Sequence, residues 1–211
     1  RSIQSKTADR LTIHDYLWRW DTDWFWCSRA FGAQNPKIRR WWPKRYLRSS
    51  FYWKLIGYDQ RFDIADRIER RRGRPARERV VQDVEVPLHN CAPFVNWFLD
   101  NVPIEPIWIC PLRLRTPDAQ WPLYPLQPDR TYVNIGFWSS VPVGPTPGYT
   151  NRLIEEKVSE LDGHKSLYSE SFYGRNEFDA LYGGETYKAV KKTYDPDSRL
   201  LDLYDKAVRR K

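Results

Sequence analysis

The chain has 211 residues, of which 41% are hydrophobic and 29% charged, and its formal net charge is +8 at pH 7. This length allows one large domain or two small ones with a substantial hydrophobic core. No uninterrupted apolar run approaches the roughly 20 residues that a membrane-spanning helix needs, and no secretory signal sequence is recognisable. The composition therefore argues against a membrane-spanning chain and predicts a soluble or peripheral one.

The first section of the chain, residues 1–79, is basic, aromatic and predicted to be largely helical. Helical spacing of apolar residues predicts helices over residues 11–31, 37–42, 47–56 and 63–71. Thr12 or Asp15 can cap the first helix, and Pro36 and Pro43 interrupt the pattern. Seven of the eleven Trp residues lie within the first 53 positions.

Two runs of basic residues lie in this section, one over residues 37–48 and one over residues 67–79. Such runs favour anionic partners, although a solvated surface is the simpler interpretation. Two specific alternatives are a nucleic acid whose bases stack on the neighbouring aromatic rings, and an anionic membrane in contact with residues 37–58. No nucleic-acid recognition motif is present, so nucleic acid is not the expected partner. Peripheral membrane contact stays open.

From Val80 onwards the pattern changes to strands and helices. Alternating apolar and polar residues predict strands over residues 80–88, 104–115 and 131–139, with a short fourth strand over 165–169. Pro111 indicates that the second strand lies at a sheet edge or contains a bulge. Helices are predicted after Asn90, a possible N-cap, and over residues 151–161, 176–181, 186–192 and 198–209. Residues 80–211 are therefore predicted to form an α+β domain, an antiparallel sheet flanked by helices.

The cysteines and histidines do not form a pattern typical of a metal site. Cys27, Cys91 and Cys110 are widely spaced, and the three histidines do not lie at ligand spacing around them. We therefore expect no metal. We also expect free thiols in a reducing compartment, which suggests the cytoplasm or the cytoplasmic face of a membrane.

No nucleotide-binding or hydrolase motif is recognisable. Gly183 and Gly184 do not match the dinucleotide fingerprint or the P-loop pattern. Zinc-protease, nucleophile-elbow and kinase patterns are also missing from the sequence. The chain by itself therefore has no recognisable catalytic motif.

Several segments, in order along the chain, resemble one family. The most specific are residues 105–112 (EPIWICPL), 132–137 (YVNIGF) and 163–178 (GHKSLYSESFYGRNEF), with further matches at 31–36 and 80–83. Together they resemble the C-terminal half of the FAD-dependent delta-24 sterol reductases, flavoproteins of the vanillyl-alcohol oxidase type. The likeness runs from about residue 12 to the end of the chain, and the many arginines look more like the bacterial members.

The resemblance implies a two-domain flavoprotein in which this chain is the substrate-binding cap. The FAD-binding domain would lie upstream and is not part of this sequence, so the chain alone would be inactive. The implied chemistry is hydride transfer between flavin and a carbon–carbon double bond of a sterol-like lipid, with a proton delivered to the other carbon. NADPH would be the reductant.

The resemblance also implies particular site residues. Tyr168, on the predicted fourth strand, would be the proton donor, with core packing as its alternative role. Asn35 and Lys44 are implied to contact the cofactor or its domain, against a turn-forming Asn35 and a solvated Lys44. The residues implied to bind substrate are Trp108, Cys110, Arg113, Glu170 and Tyr173. Core packing is the alternative role of Cys110, and a solvated strand edge is the alternative for Arg113.

Overall fold

The computed structural model describes residues 8, 10–17, 35–41, 43–46, 48–116, 118 and 120–209. The chain divides into two compact units, Arg1–Arg74 and Pro75–Lys211. The first strand of the second unit begins at Arg77, so it includes the end of the second basic run as well as the alternating pattern that follows Val80.

The described part of the first unit is helical. It contains α1 (Ile13–Leu17), α2 (Pro36–Trp41), α3 (Ser49–Phe62) and α4 (Ile64–Arg71), with a 3-10 turn over Lys44–Tyr46. Thr12 Oγ1 accepts a hydrogen bond from the Asp15 N–H at 3.0 Å, which confirms Thr12 as a cap. Helix α3 is longer than predicted because it continues through Gly57. The predicted helix over 11–31 lies, from residue 18 onwards, outside the described residues.

The second unit contains an antiparallel sheet. Its strands are β1 (Arg77–Pro87), β2 (Ile107–Arg113), β3 (Thr131–Pro142) and β4 (His164–Lys165), in the order β2-β3-β1-β4. β1 and β3 pair along the whole of β1, and β2 lies at one edge, as Pro111 predicted. The predicted fourth strand is wrong beyond Lys165. Tyr168 lies in a turn after β4, because the segment that follows is held by side-chain bonds instead of a strand ladder.

Two helices cover one face of this sheet. They are α5 (Cys91–Asn101) and α6 (Tyr149–Glu160), and they enclose a core whose side chains are almost fully buried: Val80, Val84, Val86, Phe94, Phe98, Val102, Ile104, Val133, Ile135, Phe137, Val141, Ile154 and Val158. Gln82 is also buried on this face, and its Nε2 donates to Asn151 Oδ1 at 2.6 Å. The antiparallel α+β architecture predicted from the sequence is thus confirmed.

A second cluster lies at the C-terminal end of the chain. It joins α7 (Arg175–Leu181) to a π-helical turn (Asp205–Arg209), and its buried members are Tyr173, Phe178, Tyr182, Tyr204 and Ala207. Helix α8 (Gly184–Tyr194) follows α7. None of the helices in the described part of the chain is long and apolar enough to cross a bilayer.

Two local predictions in this unit are wrong. Asn90 makes no capping bond, since its Nδ2 donates to the Leu161 carbonyl at 2.8 Å and ties α5 to the end of α6. The predicted helix over 198–209 does not begin at residue 198. Instead, the Asp195 carboxylate accepts the N–H groups of Arg199 and Leu200 at 2.8 and 3.0 Å, so that Asp195 fixes a turn.

Candidate functional site

The face of the sheet opposite the hydrophobic core carries polar side chains at its centre. Because side chains alternate along a strand, Val84 enters the core while its neighbours Asp83 and Glu85 point to the opposite face. We call this surface the polar face. It is formed by Asp83, Glu85, Trp108, Cys110, Asn134, Gly136, Trp138 and His164.

Strand register arranges most of these residues in two rows across the sheet. In the first row Trp108 of β2 pairs with Gly136 of β3, which pairs with Asp83 of β1. In the second row Cys110 pairs with Asn134, Asn134 with Glu85, and Glu85 with His164 of β4. Residues that are far apart in the sequence are therefore direct neighbours on one surface.

The first row positions the Asp83 carboxylate over a glycine. A Cβ atom built on Gly136 would lie 2.2 Å from Asp83 Oδ1, so only a residue without a side chain leaves room for the carboxylate in this position. The Tyr168 hydroxyl lies near the Asp83 carboxylate, so the two groups influence each other's pKa. Burial raises the pKa of Asp83, and the nearby hydroxyl opposes the increase. Burial, with the nearby Asp83 charge, also raises the pKa of Tyr168. The Tyr168 phenol therefore keeps its proton at neutral pH beside a carboxyl group.

The second row contains a carboxyl group that titrates near neutrality. Glu85 Oε1 accepts a hydrogen bond from Asn134 Nδ2 at 2.6 Å, whereas Oε2 is buried without a hydrogen-bond partner among the described residues. Burial raises the pKa of Glu85 to about 7, and the Asp83 charge adds to the effect. At neutral pH Glu85 therefore exchanges a proton readily.

His164 closes this row and is neutral at physiological pH. Its ring packs edge-on against Tyr124, with 4.4 Å between ring centroids, and lies 4.8 Å from the Tyr182 ring. Burial lowers the pKa of His164 to about 4. Its Nε2 is buried and has no hydrogen-bond partner within the described part of the chain.

A buried ion pair fixes the segment that contains Tyr168. Lys165 Nζ lies 2.5 Å from Glu155 Oε1 on α6 and 2.5 Å from the Glu170 carbonyl oxygen. Both Glu155 oxygens also accept the Phe172 N–H at 3.1 Å. Lys165 is fully buried, so these bonds are formed away from water. They attach both ends of residues 166–171 to α6.

Aromatic rings flank the two polar rows. Trp108 and Trp138 are 53% and 57% exposed, and Tyr168 is 58% exposed. These rings offer apolar surface next to a hydroxyl group and two carboxyl groups with raised pKa values. The arrangement is suited to an apolar molecule that requires a proton at one position.

The structure brings together three of the residues predicted from the sequence. Trp108 and Cys110 lie on the polar face, and Tyr168 lies beside Asp83 on the same face. The other three lie elsewhere. Arg113 ends β2 and pairs with Asp129 at 3.3 Å, Glu170 contributes its carbonyl to Lys165, and Tyr173 is buried in the C-terminal cluster.

The two predicted cofactor-binding residues belong to the first unit. Asn35 Oδ1 accepts the Lys37 N–H at 3.0 Å, so its side chain caps α2. Lys44 begins the 3-10 turn, and its side chain lies outside the described residues.

Four polar residues of the site were missed by the sequence analysis. They are Asp83, Glu85, Asn134 and His164. A signal was present, because Asp83 and Glu85 stand two positions apart among valines and so share one face of a strand. The alternation predicts a half-buried strand but assigns no function to its polar side chains. Among the described residues, no group of three or more His, Cys, Asp or Glu side chains is arranged to hold a metal ion.

Comparison with known proteins shows similarity to Delta(24)-sterol reductases. The chain is 27% identical over 129 residues to the reductase of Rattus norvegicus and 25% identical over 146 residues to that of Arabidopsis thaliana. It is 26% identical over 137 residues to a Delta(24)-sterol reductase homolog of Caenorhabditis elegans. These alignments cover 60%, 61% and 63% of this chain, respectively.

The alignments cover 25–26% of each relative, so the chain spans about a quarter of the length of the curated proteins it matches. No family model matches the chain. No solved structure matches it either. The chain is therefore related by sequence to oxidoreductases of the sterol reductase kind.

Proposed function

We propose that this chain is the substrate-facing cap of an FAD-linked reductase that adds hydrogen across a carbon–carbon double bond of a sterol-like lipid. One structural observation supports the proposal most directly. The Tyr168 hydroxyl lies beside the Asp83 carboxylate on a sheet face that exposes Trp108 and Trp138. The similarity to Delta(24)-sterol reductases gives the reaction class.

The aromatic side chains favour an apolar substrate. A lipid that lies across the polar face would cover Trp108 and Trp138 and so remove apolar surface from water. Binding sites for small molecules are mostly apolar with a few polar groups that fix orientation. Here those polar groups are the Tyr168 hydroxyl and the carboxyl groups of Asp83 and Glu85.

The described residues fit the flavin ring of FAD but not its phosphates. The polar face offers aromatic rings and a buried acceptor, Glu85 Oε2, that has no partner among the described residues. Trp108, Trp138 and Tyr168 are the residues that would face a flavin ring across the bound lipid. In the part of the chain that the structure describes, no Gly-rich turn follows a strand to cradle the phosphates, which is consistent with a separate FAD-binding domain as a partner.

When bound, the flavin supplies the hydride for one carbon of the double bond, and a nicotinamide such as NADPH would supply electrons to the flavin. The residues of this chain supply the proton. Tyr168 Oη donates its proton to the second carbon, and its O–H bond breaks as the new C–H bond forms. The tyrosinate oxygen then takes a proton from water, which reaches the exposed Tyr168 ring, and the phenol is restored. Glu85 is a neighbouring group that can also supply a proton, since its pKa lies near 7.

The proposal is tested with the protein that contains this chain together with its FAD domain. The flavin is reduced anaerobically with NADPH and then mixed with a sterol that has a side-chain double bond. General acid catalysis contributes about 100-fold or more to such a step. We therefore expect Tyr168→Phe to slow reoxidation by the sterol by about that factor, and to leave reduction by NADPH unchanged.

Tyr194→Phe is the matched control, because Tyr194 is an exposed tyrosine at the end of α8. Equal reoxidation rates for the two variants would exclude Tyr168 as the proton donor. A reduced flavin that no lipid alkene reoxidises would contradict the reaction class itself.

A further inference from the structure

The positive charge of this chain is concentrated in one short part. Residues 35–74 contain thirteen Lys and Arg but four Asp and Glu, an excess of nine positive charges. The whole chain has a formal net charge of +8, so the remaining residues together are close to neutral. An anionic partner would therefore be attracted to this part, which comprises α2, α3 and α4, and not to the polar face.

On helix α4, two isoleucines and two arginines lie on one side, and the acidic Glu69 lies away from them. Ile64 and Ile68 lie one turn apart on the same side, with Arg67 and Arg71 beside them, and Glu69 lies toward the opposite side. Glu69 is already occupied, since its carboxylate accepts from Arg74 Nη1 at 3.1 and 3.2 Å. The isoleucine side of the helix is therefore apolar and positively charged.

Apolar side chains remain exposed in this region. Ile64 and Ile68 are each 43% exposed, and Trp41 at the end of α2 is 84% exposed. Tyr58 and Phe62 of α3 stack with 6.4 Å between ring centroids, and both are exposed. Not one described side chain of the first unit is buried, in contrast to the two buried clusters of the second unit.

We propose that α2, α3 and α4 form a docking surface for an anionic lipid bilayer. Isoleucine, tryptophan and phenylalanine side chains would enter the interface between headgroups and acyl chains. The flanking arginines would extend their charged ends to the lipid phosphates while their methylene groups stay with the apolar side chains. This surface does not depend on the function proposed for the polar face.

A bilayer accounts for features that a nucleic acid does not. Stacking on bases uses aromatic rings, whereas the apolar side of α4 consists of isoleucines. Apolar aliphatic groups between arginines are the composition of an interfacial helix. A purely solvated surface explains the arginines but leaves the exposed isoleucines and Trp41 without a role.

The experiment measures binding of the full chain to sedimenting vesicles of phosphatidylcholine with and without phosphatidylglycerol. We expect binding only when phosphatidylglycerol is present. The double variant Arg67→Gln/Arg71→Gln should weaken this binding about 25-fold, because each basic residue near an anionic surface contributes about 1 kcal/mol, or about fivefold. The double variant Ile64→Gln/Ile68→Gln, which keeps every charge, should weaken it about tenfold or more.

Matched controls lie on α8 of the second unit. Val190→Gln removes an exposed apolar residue there, and Lys188→Gln/Lys192→Gln removes two exposed charges. Both controls should bind vesicles like the unmodified chain, and circular dichroism should show the same helix content for all variants.

Three outcomes would overturn the proposal. The first is the absence of binding to phosphatidylglycerol vesicles. The second is equal weakening by the α4 and α8 variants, which would indicate attraction to net charge alone. The third is vesicle binding that the Ile64 and Ile68 substitutions do not weaken and that single-stranded oligonucleotides compete away. That result would indicate a nucleic-acid surface.

Discussion

The two faces of the sheet are built from the same strands but differ in whether a buried charge has a partner of opposite charge. On the core face Lys165 is fully buried, and Glu155 and a backbone carbonyl satisfy it at 2.5 Å. On the polar face Asp83 and Glu85 are also withdrawn from water, but no cation pairs with either carboxyl group among the described residues. Burial of unpaired acids opposes folding. A role in proton transfer therefore explains these two acids better than a contribution to folding stability does.

The largest effect should come from breaking the pair on the core face. Lys165→Met leaves the Glu155 carboxylate buried without its partner, and we expect the free energy of unfolding to fall by about 3–5 kcal/mol. Urea unfolding of the isolated chain measures the change. Adding Glu155→Gln should recover part of the loss, because the unpaired carboxylate is then removed. A double variant whose loss of unfolding free energy exceeds the summed losses of the two single variants would contradict the pairing.

A second prediction compares an apolar residue of the core face with a polar-face residue. Ile135→Ala removes fully buried side-chain atoms from β3 and should lower the free energy of unfolding by about 2–5 kcal/mol. Tyr168→Phe removes one hydroxyl group from an exposed ring and should cost about 1 kcal/mol or less. Similar losses in urea unfolding would mean that Tyr168 is a structural residue.

Glu85 makes a pH-dependent contribution of opposite sign to that of a paired carboxylate. Its pKa rises from an ordinary 4.5 to about 7 in the folded chain. The folded state therefore binds more protons than the unfolded state between these pH values. The free energy of unfolding should fall by about 3 kcal/mol as pH rises through this window.

Glu85→Gln should remove that part of the dependence while keeping the shape of the side chain. The difference in unfolding free energy between the variant and the unmodified chain should grow from pH 5 to pH 8. A difference that stays constant over this range would show that Glu85 titrates normally.

A smaller effect than at Ile135 is expected at Gly136. Gly136→Ala puts a methyl group where the Asp83 carboxylate lies, so the carboxylate must move away from its place beside Tyr168. Overpacking of this kind costs about 1–3 kcal/mol. Combining it with Asp83→Ala should restore most of the stability, because the clash then disappears. No rescue in thermal unfolding would mean that the glycine serves the backbone instead.

Much of the fold was predictable because it depends on local patterns. The alternation from Val80 to Val86 produced β1, and Pro111 correctly indicated an edge strand. The failures have long-range causes. Asn90 bonds to Leu161, some 70 positions away, and the segment after Lys165 is shaped by Glu155 of a different element.

The site was less predictable than the fold. Trp108, Cys110 and Tyr168 were identified through the family resemblance, and all three lie on or against the polar face. The role of Gly136 could not be predicted, since it follows from a strand register that pairs residues 83 and 136. The raised pKa of Glu85 likewise depends on burial, which residue type alone does not determine.

The short stretch that presents Tyr168 has little freedom to rearrange. It has six residues, Lys165 to Glu170, and the Lys165 ammonium group donates to the Glu170 carbonyl and so closes the stretch into a small ring. A phenol mounted on such a ring loses little conformational entropy when a ligand arrives. Loosening the ring should therefore slow proton delivery even where every group on the sheet stays in place.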